Sequence, residues 1–141
     1  MEKLKCKMAI TINLYQIIKK MLFNYSDNHT EENKLPFNVK YKLQRAGVIF
    51  EQDYLLYESK RQELVKKYGT ENDKGVSVVG DDKKEEFENE LKEFLNTDVE
   101  HSIIKFTPNE LEGIEVDISM SELEIFVSSL VDDPDFVNET K

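Results

Sequence analysis

Cysteine occurs once in this 141-residue chain, tryptophan not at all, proline three times and glycine five. With Cys6 alone, no intramolecular disulfide can form, so the fold must rest on packing; the usage suits a reducing compartment. The scarcity of Gly and Pro excludes a collagenous or loop-dominated chain. Long apolar runs are also missing. The most apolar stretch, MAITINLYQIIKKMLF, is too short to span a bilayer and is interrupted by Lys19 and Lys20. It lacks the small-residue cleavage site of a signal peptide. The expectation is a soluble intracellular protein with no membrane partner. Only two histidines occur, His29 and His101, in separate segments and without a second His or Cys at ligand spacing. A zinc site needs about four such ligands, so no metal and no other cofactor is expected.

Basic residues are scarce in the second part of the chain. Residues 1–80 hold 14 Lys/Arg against 10 Asp/Glu, whereas residues 81–141 hold 5 against 19. The net charge of −10 is therefore a mildly basic part joined to a strongly acidic one. So acidic a chain cannot neutralise many phosphates, and direct nucleic-acid binding is not expected. The split fits attraction within a subunit, attraction between subunits, or an acidic surface meeting a basic partner.

What is present is periodic. Residues 2–10 alternate, with Leu4, Cys6, Met8 and Ile10 on one side and three lysines on the other, which predicts a strand. Thr11 or Asn13 then caps a helix whose stripe is Leu14, Ile17, Ile18, Met21, Leu22 and Tyr25. The polar stretch 26–36 reads as a loop. Pro36 can open the next helix, the longest, from about 37 to 68. Leu43, Phe50, Tyr57 and Leu64 recur in it every seven residues, and Ile49 and Leu56 widen the face. Gly47 costs roughly 1 kcal/mol there and marks a close crossing or a bend. Gly69 ends this helix. NDKG, 72–75, is a turn, VSVV is strand-like, and Asp81 or Asp82 caps a helix to Leu95 with Phe87, Leu91, Phe94 and Leu95 on one side. Helix, short arm and helix make an antiparallel hairpin. Residues 96–106 turn into a strand, and Thr107 caps a short helical turn. GIEVDI, 113–118, alternates as a strand does. Ser119 to Glu122 is a capping box that opens a last helix with Leu123, Phe126, Val127 and Leu130 inside. The fold class is α+β and mostly helical: a long central helix in a helical hairpin, with a few short strands. Residues 1–131 form one domain, and 132–141 a flexible acidic tail.

Chemical motifs are weak. ENDKGVSVVGDD has a central glycine but not the ligand order of a calcium loop. GDDKK precedes a helix, yet it lacks a phosphate-loop pattern and Asp81 and Asp82 would repel an anion. Cys6 has flanking lysines but no His near it in sequence, so a structural thiol is the simpler reading. His101 reads as an ordinary surface or edge residue. The aromatics near Lys40, Lys42, Arg45, Lys60 and Arg61 fall on the apolar stripe and read as core. The carboxylates are the one abundant resource: Glu86, Glu90 and Glu93 on one predicted helix, and Glu112, Glu115, Asp117 and Glu124 nearer the end. Singly they read as solvated faces; together they are the candidate partner-binding residues.

KLPFNVKYKLQRA, YESKRQELVKKYG, EEFENELKEFLNTDVE and LEGIEVDISMSELEIF, in this order across residues 34–130, resemble a family of short helical proteins encoded by tailed bacteriophages and prophages of low-GC bacteria. The resemblance implies a fold and a setting but transfers no active-site residue. It places the protein in the host-cell cytoplasm or the virion. The expected function is a non-enzymatic phage accessory protein that contacts a phage structural protein, a host protein or a second copy of itself as a homo-oligomer. The alternative is an acidic mimic of nucleic acid that inhibits a host defence enzyme.

Overall fold

The computed structural model describes residues 2–26 and 29–132, and the side chains of all these except Tyr25, Ser26 and His29. The predicted acidic tail, 132–141, lies outside the described residues except for Asp132. The chain is α+β and mostly helical: β1 (Glu2–Lys7), α1 (Met8–Leu22), β2 (Phe23–Ser26), β3 (His29–Glu32), α2 (Phe37–Tyr68), β4 (Gly69–Glu71), β5 (Ser77–Val79), α3 (Asp81–Leu95), β6 (Asp98–Ile103), a 3-10 turn (Pro108–Leu111) and α4 (Met120–Leu130). Among the described residues, no helix is long and apolar enough to cross a membrane.

The strands form three separate antiparallel ribbons, β1–β6, β2–β3 and β4–β5. In the first, Leu4 faces His101 and Cys6 faces Val99, so the inward sides of the two strands coincide. The lysine row of β1 is exposed, and Lys3 and Lys7 pair across the ribbon with Glu100 and Asp98. The first helix starts at Met8, earlier than a Thr11 or Asn13 cap would place it. Thr11 is instead fully buried inside the helix. That helix also ends earlier than its stripe suggests: Phe23 turns extended, and the polar stretch read as a loop supplies β3, which pairs with β2.

The core lies where α1 and α2 cross beneath the β1–β6 ribbon and α4. Leu14, Ile17 and Ile18 of α1 meet Val39, Leu43, Ala46 and Phe50 of α2, with Ile103, Phe106, Phe126 and Leu130 above. The close crossing expected at Gly47 is present, since a Cβ there would lie 3.4 Å from Ile18 Cγ2. Leu64 is buried, but Leu56 is exposed, as are Val48 and Leu55. The second helix of the hairpin, α3, buries no residue fully, and Phe87, Leu91, Phe94 and Leu95 are only half-covered. The long helix therefore relies mainly on α1 for its packing. Leu123 likewise stands largely outside, whereas Phe126 and Leu130 are inside as expected.

Gly69 does cap α2, but with an extended backbone rather than the left-handed one. Its need is proximity: a Cβ would lie 2.3 Å from the Val65 carbonyl oxygen. The NDKG turn forms, with Asn72 Oδ1 accepting from the N–H groups of Lys74 and Val76, and Gly75 at φ +75°. Gly80, not an aspartate, caps α3, and Asp81 and Asp82 occupy its first turn, where negative charge is favoured.

Candidate partner-binding surface

The residues between Gly113 and Ser119 have the alternation of a strand without being one. Gly113 at φ +79° turns the chain out of the 3-10 segment, and the capping box of α4 ends the run. In that box, Ser119 Oγ accepts from the Glu122 N–H at 3.1 Å, and Glu122 Oε1 accepts from the Ser119 N–H at 3.0 Å. Between these stops, Ile114, Val116 and Ile118 pack against the core, while Glu115 and Asp117 face solvent. The predicted strand over 113–118 thus has its in–out pattern but no ladder. The reason is tertiary: among the described residues no other strand lies beside it to exchange backbone hydrogen bonds.

A cavity of about 820 Å³ opens along this segment. Residues 115–119 form one side, and Lys20, Phe23, Asn24 and Asn33 the other. Lys20 Nζ donates to Glu122 Oε2 at 2.8 Å, and this bond, with the Ser119 N–H, holds the Glu122 carboxyl below its ordinary range. The lysine is thereby neutralised, whereas Glu115 and Asp117 at the rim have no ion-pair partner among the described residues.

The preceding turn is pinned to α2 through Glu110. Its Oε1 accepts from Lys42 Nζ at 2.6 Å and from the Thr107 N–H at 2.9 Å, and its Oε2 accepts from Asn38 Nδ2 at 3.0 Å. Lys42 also lies 5.5 Å from the centre of the Phe106 ring. The lysine first, then the backbone N–H, lowers the Glu110 pKa from 4.5 to about 2. A carboxyl whose folded value is depressed stabilises the fold above its unfolded value, and that contribution is lost as pH falls from about 4.5 towards 2. The group is 18% exposed, so after allowance for solvent the contribution is about 1–2 kcal/mol. Glu110→Gln is expected to lower stability by that amount at pH 7 and to match the parent near pH 2, as read by urea unfolding across the pH series.

The predicted binding carboxylates divide into two sets. Glu112, Glu115, Asp117 and Glu124 are exposed and have no ion-pair partner among the described residues. On α3, Glu93 is exposed, and Glu86 lies 3.6 Å from Lys83. Glu90 differs: one oxygen accepts from both Lys67 Nζ and the Tyr68 hydroxyl at 2.8 Å, so it fastens α3 to the end of α2. Those two bonds hold its pKa down.

A buried polar cluster joins three residues that are far apart in the sequence. Asp53 Oδ2 accepts from the Thr11 hydroxyl at 2.7 Å and lies 2.8 Å from His101 Nε2. The imidazole stands edge-on to Phe50, with ring centres 5.9 Å apart. His101 is thus half-buried and engaged, not an ordinary surface residue. Its sequence signal was Asp53 itself, a carboxylate set between Ala46, Phe50 and Tyr57 on the apolar face of α2. Cys6 is half-buried nearby, and burial first, then the Asp53 charge, raises its pKa to about 11. It stays a thiol at neutral pH, as the reading of a structural cysteine requires. Thr11 bonds the carboxylate rather than the imidazole, so the cluster does not align a hydroxyl for attack. Among the described residues, no group of three or more His, Cys, Asp or Glu could hold a metal ion.

Set beside protein-family profiles, curated proteins and solved structures, the chain matches none.

Proposed function

We propose that this is a non-enzymatic phage accessory protein that works through protein–protein contacts, as part of the virion or its assembly or as a modulator of a host protein. The observation that carries the reading is the set of exposed carboxylates Glu112, Glu115, Asp117 and Glu124, unpaired among the described residues, on and to either side of a segment whose apolar side chains pack inward. Four such carboxylates without ion-pair partners among the described residues leave their charge available to a basic protein surface. The likeness of residues 34–130 to phage and prophage proteins supports the setting. A second apolar surface fits a larger assembly: Phe37, Tyr41, Val48 and Leu55 are exposed along one side of α2. The nucleic-acid mimic draws less support, because Glu90 is spent on Lys67 and Tyr68 and cannot present a free charge.

Affinity purification of the tagged full chain from infected cells, with a parallel search of purified virions, tests the reading. A defined protein partner, or a stable self-assembly, is expected. Recovery of neither overturns it. A partner that is a nucleic-acid-processing enzyme, displaced by competing DNA, would favour the mimic instead.

A further inference from the structure

We propose that the edge formed by residues 114–118 accepts an extended, basic peptide segment of a partner protein as an added β-strand. The inference rests on the reading that the protein acts through protein contacts, and it names the site and the chemistry of what binds there. It begins with a mismatch. The sequence of 114–118 is strand-patterned, its side chains alternate between core and solvent, and its length is that of an ordinary strand. Yet the N–H groups of Glu115, Val116, Asp117 and Ile118 donate to no acceptor among the described residues. An edge so prepared is a template for a further strand.

The cavity beside it has the room, and its charge selects the occupant. Three carboxylates, Glu115, Asp117 and Glu122, stand against one lysine, and that lysine is already paired to Glu122. Glu115 and Asp117 are two residues apart and share the solvent face, so they would lie beside alternate side chains of the incoming strand. Lys or Arg at those alternate positions satisfies both charges, and apolar residues between them continue the face of Ile114, Val116 and Ile118. The inward anchors keep the edge extended before anything binds, which spares the ordering cost on this side of the contact.

The probe is a synthetic peptide of about eight residues that alternates lysine and valine. Its comparators are a block peptide of the same composition and a version N-methylated at every residue. The alternating peptide is expected to bind the full-length protein and to slow amide exchange at alternate residues within 115–118, those whose N–H groups face the added strand. The block and N-methylated peptides are expected to bind at least about tenfold more weakly, because the first cannot set lysines opposite both Glu115 and Asp117 while keeping apolar residues on the inner face, and the second cannot form the ladder. Glu115→Lys with Asp117→Lys, both exposed, should weaken the alternating peptide by about tenfold or more without changing the circular dichroism spectrum. Equal binding of all three peptides would show charge attraction alone and overturn the proposal. So would amide protection at 115–118 in the free protein, whether from its own tail or from a second copy. A cellular partner retained in full by the doubly substituted chain would overturn this site while leaving the broader function standing.

Discussion

Replacing Phe50 with alanine is expected to lower the unfolding free energy by about 3–5 kcal/mol. The ring is fully buried at the middle of α2, where α1 passes below and the β1–β6 ribbon lies above. It touches both layers, through the core cluster and through the edge-on contact with His101. The cavity left by its removal would be lined by α1, α2 and β6 together, so no single element could move in to fill it. The loss is also large relative to the whole. Folded domains hold about 5–15 kcal/mol, and here one long helix, α3, adds no fully buried residue to the core. The variant should therefore sit at the margin of folding at 25 °C. Leu55→Ala on the same helix is the control, because Leu55 is 57% exposed and its loss should cost under about 0.5 kcal/mol. Urea unfolding followed by circular dichroism reads both. Similar midpoints for the two variants would mean that α2 has been assigned the wrong inner face.

How far the sequence could reach depended on distance along the chain. The seven-residue spacing of Leu43, Phe50, Tyr57 and Leu64 is legible because it is a property of one helix; Leu43, Phe50 and Leu64 are buried, and Tyr57 is half-buried. The Ser119–Glu122 box was legible for the same reason, since its two hydrogen bonds span three residues. Apolar character alone places Leu56 and Leu123 in the core, yet both are exposed. They are exposed because the elements that would have covered them lie elsewhere. The 113–118 strand shows a sharper limit. Alternation fixes which side chains face inward, but a ladder also needs a neighbour, and no local pattern states whether one is present. That carboxylates are plentiful is legible from composition alone. That Glu90 is held by α2 while Glu115 and Asp117 are free depends on contacts 22 and 23 residues away in the first case, and on their absence among the described residues in the second.

The Thr11–Asp53–His101 cluster joins residues 42 and 48 positions apart, and it supports the second large prediction. Asp53→Ala is expected to cost about 1–3 kcal/mol, as leaving buried hydrogen-bond donors without their acceptor does. Both donors converge on one oxygen of Asp53, and its side chain is only 8% exposed. Without it, the His101 Nε2–H loses its acceptor, and the Thr11 hydroxyl keeps only the Met8 carbonyl oxygen, 2.9 Å away. Removing both ends should cost less than the sum of the parts. Against Asp53→Ala and His101→Ala separately, the double variant is expected to show a coupling of about 1–3 kcal/mol. Replacement of the whole cluster by apolar groups, Thr11→Val with Asp53→Leu and His101→Leu, should return most of the stability, because no buried donor or acceptor is then left without a partner. That pattern of a costly single change, strong coupling and apolar rescue marks a clamp between α1, α2 and β6. If Asp53→Ala alone costs under about 1 kcal/mol, the three side chains do not hold these elements together. Should the apolar triple variant fold as stably as the parent and yet lose the cellular partner, the cluster would belong to the contact surface and not to the scaffold.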